Sequence, residues 1–87
     1  MREPTAVRLH PHARSRLTER GATVAEVCTT IETGDSFAAK FGRTGFRRNF
    51  AQNGVWRGKR YATKQVEAYA VAETGGWLVI TVVVKYS

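Results

Sequence analysis

A chain of 87 residues has room for one small domain, which buries only about 60–65% of its unfolded surface and must use its apolar residues economically. With 43% hydrophobic residues and one cysteine, Cys28, it can fold on its core alone, and an intramolecular disulfide is excluded. Fourteen Lys and Arg against seven Asp and Glu give a net charge of +7, which fits a nucleic acid or an acidic protein as partner.

Ten of the cations are Arg, the residue suited to bidentate contact with phosphate or carboxylate. The opening "MREPTAVRLHPHAR" lacks the apolar run of a signal peptide, and "WLVITVVV" is too short to span a membrane. The expectation is one domain over residues 1–87, cytoplasmic and without membrane contact.

In chain order, His10 precedes Pro11 and is driven toward extended backbone, outside the first helix. Pro11 suits a first helical turn, where its missing N–H would have no partner. Ala13 and Leu17 supply a short apolar stripe, and Gly21 supplies the stop. Thr23 followed by Glu26 is a capping box. Val24, Val27, Cys28 and Ile31 make one apolar face of a second helix, which Gly34 ends before turn residues Asp35 and Ser36.

Beyond Gly34 the period falls to two. In "GFRRNF", Phe46, Arg48 and Phe50 share one strand face, with Arg47 and Asn49 on the other. Asn53-Gly54 predicts a hairpin turn. "WRGKRYAT" sets Trp56, Gly58, Arg60 and Ala62 against Arg57, Lys59 and Tyr61; "VEAYAVAE" follows, then a Gly75-Gly76 turn. The final "WLVITVVVKYS" is apolar on both faces, which predicts a mid-sheet strand covered on both sides. The expected architecture is α+β: two N-terminal helices packed on a curved, mainly antiparallel sheet of four or five strands.

On the first helix, His12, Arg16 and Arg20 recur every four residues and lie along one side. Two guanidinium groups could hold a phosphodiester while the imidazole moves a proton; equally, the three could form a solvated basic face with Glu19 as ion-pair partner. His10, His12, Cys28 and Asp35 fall into no zinc spacing, so neither metal nor cofactor is expected, and Cys28 belongs to the core.

In the strand region, Arg43, Arg47, Arg48, Arg57, Lys59, Arg60 and Lys64 are interleaved with Phe46, Phe50, Trp56 and Tyr61. Cations can follow a nucleic-acid backbone while aromatic faces stack unpaired bases, which makes Arg47, Arg57, Lys59 and Tyr61 candidate RNA contacts. Alternation assigns Phe46 and Phe50 to the core. Lys85 either borders a cleft or is a charge that discourages edge pairing. Asp35 is the sole aspartate, and Glu19, Glu26, Glu32, Glu67 and Glu73 show no paired-carboxylate spacing, so two-metal or two-carboxylate hydrolysis is not expected.

"HARSRLTERG", the capped helix ending "IETGD", "WRGKRYATKQVEA" and the terminal "WLVITVVVKY" together resemble, over nearly the whole chain, a small family of bacterial domains grouped with the RelE, ParE and BrnT toxins of toxin–antitoxin modules. The resemblance implies a RelE-like toxin fold, action on RNA (free or ribosome-bound), and inhibition by a small acidic antitoxin protein. ParE-like relatives act on DNA gyrase instead, so fold alone does not choose the target. His12, Arg16 and Arg20 match the opening motif; Lys85 and Tyr86 match the basic and tyrosine groups that RelE-like nucleases place near the sheet end.

The expected function is therefore a toxin that cleaves RNA without a metal, through attack by the 2′-hydroxyl. His12 would be base or acid, with Arg16, Arg20 and Lys85 on the phosphate and Tyr86 beside them. The alternative is a non-catalytic basic module that docks an acidic protein or a nucleic acid, with His12 structural.

Overall fold

The computed structural model describes residues 6–87, apart from the side chains of residues 52 and 53. The described residues open with a short strand, β1 (Ala6–Leu9). Helices α1 (Pro11–Arg20) and α2 (Val24–Thr33) follow, then β2 (Asp35–Ala38), a 3-10 turn at Lys40–Gly42, and three long strands: β3 (Thr44–Trp56), β4 (Lys59–Glu73) and β5 (Gly76–Tyr86). Among the described residues these strands form one sheet in the order β1-β5-β4-β3-β2. β1 pairs parallel with β5, whereas the other neighbours are antiparallel, so the sheet is mixed.

This corrects the expected order of two helices followed by a sheet, and with it the RelE-like toxin fold. The described residues start in the sheet, and their first strand sits beside their last. Four residues, alternately exposed and half-buried, are too short a run to announce a strand. β1 exists because its backbone groups pair with β5 at the far end of the chain.

Both helices form where their end signals lie. In α1, Pro11 occupies the first turn and Gly21 caps the end in the left-handed region, at φ 74°. His10 is the N-cap: its Nδ1 accepts the backbone N–H of His12 at 3.1 Å. In α2 the capping box is complete, because Thr23 Oγ1 accepts the Glu26 N–H at 3.1 Å while Glu26 Oε1 accepts the Thr23 N–H at 2.9 Å.

The helices share one face of the sheet, α1 on β5 and α2 on β4 and β3. Ala13, Leu17, Val27 and Ile31 meet Phe46, Val66, Ala68, Ala70, Val79 and Val82 in a single core. Two of the three β4 residues in this core, Ala68 and Ala70, are small. As alternation predicts, Phe46 is buried and Phe50 packs against its edge.

Three further expectations are corrected. Asp35 and Ser36 open β2 rather than a turn. The β3–β4 hairpin turns at Arg57-Gly58, both at positive φ (51° and 80°), with Trp56 opposite Lys59. Positive φ at both central positions is the backbone of a two-residue hairpin loop. Asn53-Gly54 lies inside β3 instead, where the register shifts between Ala51 and Gly54.

β5 also breaks its own alternation. Tyr69 pairs with Thr81 and Ala70 with Val79, so Ile80 is the extra residue of a bulge. Trp77 and Val79 before it, and Val82 and Val84 after it, all reach the core. Among the described residues β5 is thus covered by helix on one face, not two, and the central strand is β4.

Candidate functional site

The residues singled out by the sequence fall into three places. His12 is exposed in the first turn of α1. Arg20 is eight residues on, about 12 Å further along the axis. Arg16 pairs instead with Glu19, Nη1 to Oε2 at 2.7 Å.

Arg20 belongs to a joint at the C-terminal end of α1. Its guanidinium donates to the Val82 carbonyl, and its own carbonyl accepts the Tyr86 hydroxyl at 2.7 Å. Tyr86 stacks on Trp56 with ring centroids 5.2 Å apart, and Tyr61 leans on Tyr86 at 5.3 Å. Arg57 lies over Trp56 and donates to the Glu19 carbonyl at 3.0 Å; Lys59 lies over Tyr61. Gly21 is required here, because a Cβ would meet the Trp56 ring at 2.5 Å and the Tyr86 hydroxyl at 2.6 Å.

A pocket of about 390 Å³ opens beside this joint, between Arg20, Arg57 and Tyr86. Burial, with the charge of Glu26, raises the Tyr86 pKa above its ordinary value, so the phenol keeps the proton it donates. These groups largely satisfy one another, and the joint ties the helix end to the last strand.

Lys85 is elsewhere. Val84 and Tyr86 point to the helix side, so Lys85 points to the other face, which no helix among the described residues covers. The structure therefore does not bring together His12 and Lys85, as a shared active site would need.

On that helix-free face Lys85 meets a residue the sequence did not single out. Glu67 Oε2 lies 3.7 Å from Lys85 Nζ and 3.8 Å from Arg47 Nη1. The Glu67 side chain is only 5% exposed, whereas those of Arg47 and Lys85 are 46% and 63% exposed. The Tyr69 hydroxyl donates to Glu67 Oε1 at 3.2 Å. Burial raises the Tyr69 pKa, reinforced by the Glu67 charge and that hydrogen bond, while Arg47 opposes the shift. Tyr69 is therefore a phenol at neutral pH.

Phe37 completes the centre. Its ring lies across Gly45, where a Cβ would overlap it, and meets Tyr69 edge-on at 5.9 Å with Arg47 over its face at 5.0 Å. Cys28 takes no part, since burial and then Glu32 raise its pKa and keep the thiol protonated. Among the described residues no three His, Cys, Asp or Glu side chains converge as a metal site would require, and no helix is long and apolar enough to cross a membrane.

Comparison with known proteins gives no significant match to a family model, a curated protein or a solved structure.

The strand pattern did hold a signal for Glu67. In "VEAYAVAE", Val66, Ala68 and Ala70 face the core, which leaves Glu67 and Tyr69 on the opposite face. What it lacked was the register that puts Arg47 directly across from Glu67 and Lys85 on its diagonal.

Proposed function

We propose that the protein is a cytoplasmic ribonuclease that needs no metal ion and holds single-stranded RNA across the helix-free face of its sheet, with Glu67 as general base. The supporting observation is a carboxylate buried on an otherwise open face between two exposed cations. Burying a charge is costly, and a pair of this kind seldom adds stability over an apolar pair of the same size. A fold alone would be served as well by Thr or Val at that position.

The proposed chemistry uses this arrangement of groups. At 3.7–3.8 Å, neither cation is in tight hydrogen-bond contact with Glu67. A phosphate entering between them draws both toward itself and frees Oε2. Glu67 then takes the proton of the ribose 2′-hydroxyl, and the 2′-oxygen forms a bond to the adjacent phosphorus. Arg47 holds the charge growing on the non-bridging oxygens.

The bond from phosphorus to the 5′-oxygen breaks, and Lys85 gives that oxygen a proton. The products are a 2′,3′-cyclic phosphate and a 5′-hydroxyl; exchange with water restores Glu67 and Lys85. The 2′-hydroxyl requirement selects RNA over DNA.

The test is incubation of the purified protein with single-stranded RNA in EDTA and mapping of the ends. Cyclic-phosphate ends are expected from the wild type, and a loss of roughly 10²–10⁴-fold in rate from Glu67→Gln. Intact RNA, 3′-hydroxyl ends, or cutting that survives Glu67→Gln would overturn the assignment. RNA that is bound but never cut would leave a non-catalytic binding module.

A further inference from the structure

Beside the Glu67 centre the helix-free face ends in a hollow of about 440 Å³. Phe37, Tyr69 and Thr81 line it from the sheet, and Lys40, Phe41 and Arg43 from the turn between β2 and β3. Two of these residues also touch the centre: Tyr69 donates to Glu67, and Phe37 lies under Arg47. The hollow is thus one side chain away from the carboxylate.

Phe41 is the unexpected residue. The residue is 86% exposed, and its backbone has φ 62°, a region that disfavours any side chain and suits glycine. Folding neither buries this ring nor favours it there. Arg43 holds its guanidinium 5.8 Å from the ring centroid, and Lys40 begins the same turn. An exposed aromatic ring with a guanidinium at its face and an ammonium in the same turn is matched in chemistry to an unpaired nucleobase with its phosphates.

We propose that this hollow is a nucleobase subsite: a base next to the scissile phosphate stacks on Phe41, and Arg43 and Lys40 hold the phosphate beyond it. The subsite rests on the RNA assignment above and gives a physical reason for its restriction to unpaired strands. A base in a duplex has both faces covered and cannot stack there.

The experiment compares two RNA oligomers of equal length, one with all its bases and one lacking them. Their affinities are measured for Glu67→Gln protein, in which cleavage does not interfere. The base-containing oligomer is expected to bind at least about tenfold more tightly, given the usual strength of base–aromatic stacking. Adding Phe41→Gly should remove about tenfold for that oligomer and leave the abasic one unchanged. Phe41→Trp should restore the preference.

Because glycine suits φ 62°, Phe41→Gly should melt no lower than its parent, so a loss of binding would not reflect unfolding. Equal binding of the base-containing oligomer with and without Phe41 overturns the subsite. If Arg47→Ala still weakens that binding, the RNA assignment survives. Failure of the parent protein to bind either oligomer overturns both.

Discussion

Arg47 and Glu67 stand directly opposite each other on neighbouring strands, yet their charged atoms are 3.8 Å apart while the Arg47 guanidinium lies over the Phe37 ring. The cation is shared between a buried carboxylate and an aromatic face and is 46% exposed. Such an arrangement presents positive charge to a ligand without surrendering it to a tight ion pair.

Lys85, on the diagonal from Glu67, is the more exposed of the two cations. Lys85→Ala should weaken binding of single-stranded RNA and lower the slope of log affinity against log salt by about 0.7, the release of one counterion. Fluorescence titrations at several salt concentrations measure both. An unchanged slope would show that Lys85 makes no phosphate contact.

Local signals and long-range pairing explain what the sequence made legible. Pro11, Gly21, the Thr23–Glu26 box and Gly34 act within one helical turn of themselves, and both helices lie where those residues place them. β1 has no such marks and depends on β5. Asn53-Gly54 is the stronger local turn signal, but turning at Arg57-Gly58 lets Trp56 reach Tyr86 and cover Gly21.

The candidate site followed the same division. Lys85 and Arg47 stand out by charge, but their meeting at Glu67 is a matter of strand register. The bulge at Ile80 contributes to it by keeping Val82 and Val84 on the core and Lys85 off it.

Tyr69 and Tyr86 make stability fall at alkaline pH. Both have folded-state pKa values above their ordinary value near 10, mainly through burial. The folded protein therefore holds these phenolic protons more tightly than the unfolded chain does. The contribution is complete below the unfolded pKa and is lost as pH rises through the folded one. Melting temperature should thus decline above about pH 10, and less steeply in Tyr69→Phe than in wild type. Thermal melts from pH 8 to pH 11 would check this; parallel curves for the two proteins would sink it.

Glu26 carries two tasks. It closes the capping box of α2, and its Oε1 accepts from Lys64 Nζ at 2.8 Å. Lys64 is buried and has the Gly21 carbonyl as its other acceptor. Glu26→Ala removes the box and leaves a buried cation without its carboxylate. Because Glu26 itself is partly exposed, a loss of about 2–3 kcal/mol is expected, below the full cost of breaking a buried pair. Urea unfolding measures it. Glu26→Ala combined with Lys64→Met should recover part of the loss, and a single-variant loss under about 0.5 kcal/mol would contradict this account.

The two histidines should separate by role. His10 caps α1 through Nδ1, so His10→Ala should cost about 0.5–1 kcal/mol of stability. His12 contributes only its backbone N–H to that bond, and its exposed ring sits on the helix side of the sheet, two turns from Arg20. His12→Ala should stay within about 0.5 kcal/mol of wild type and cut RNA within about twofold of its rate. Urea unfolding and end-mapped cleavage assays, run beside Glu67→Gln, decide between the two acid–base groups. A folded His12→Ala protein that no longer cuts would return the chemistry to the first helix. Retained cutting, with loss in Glu67→Gln, would assign it to the open face, where a carboxylate and two cations already meet.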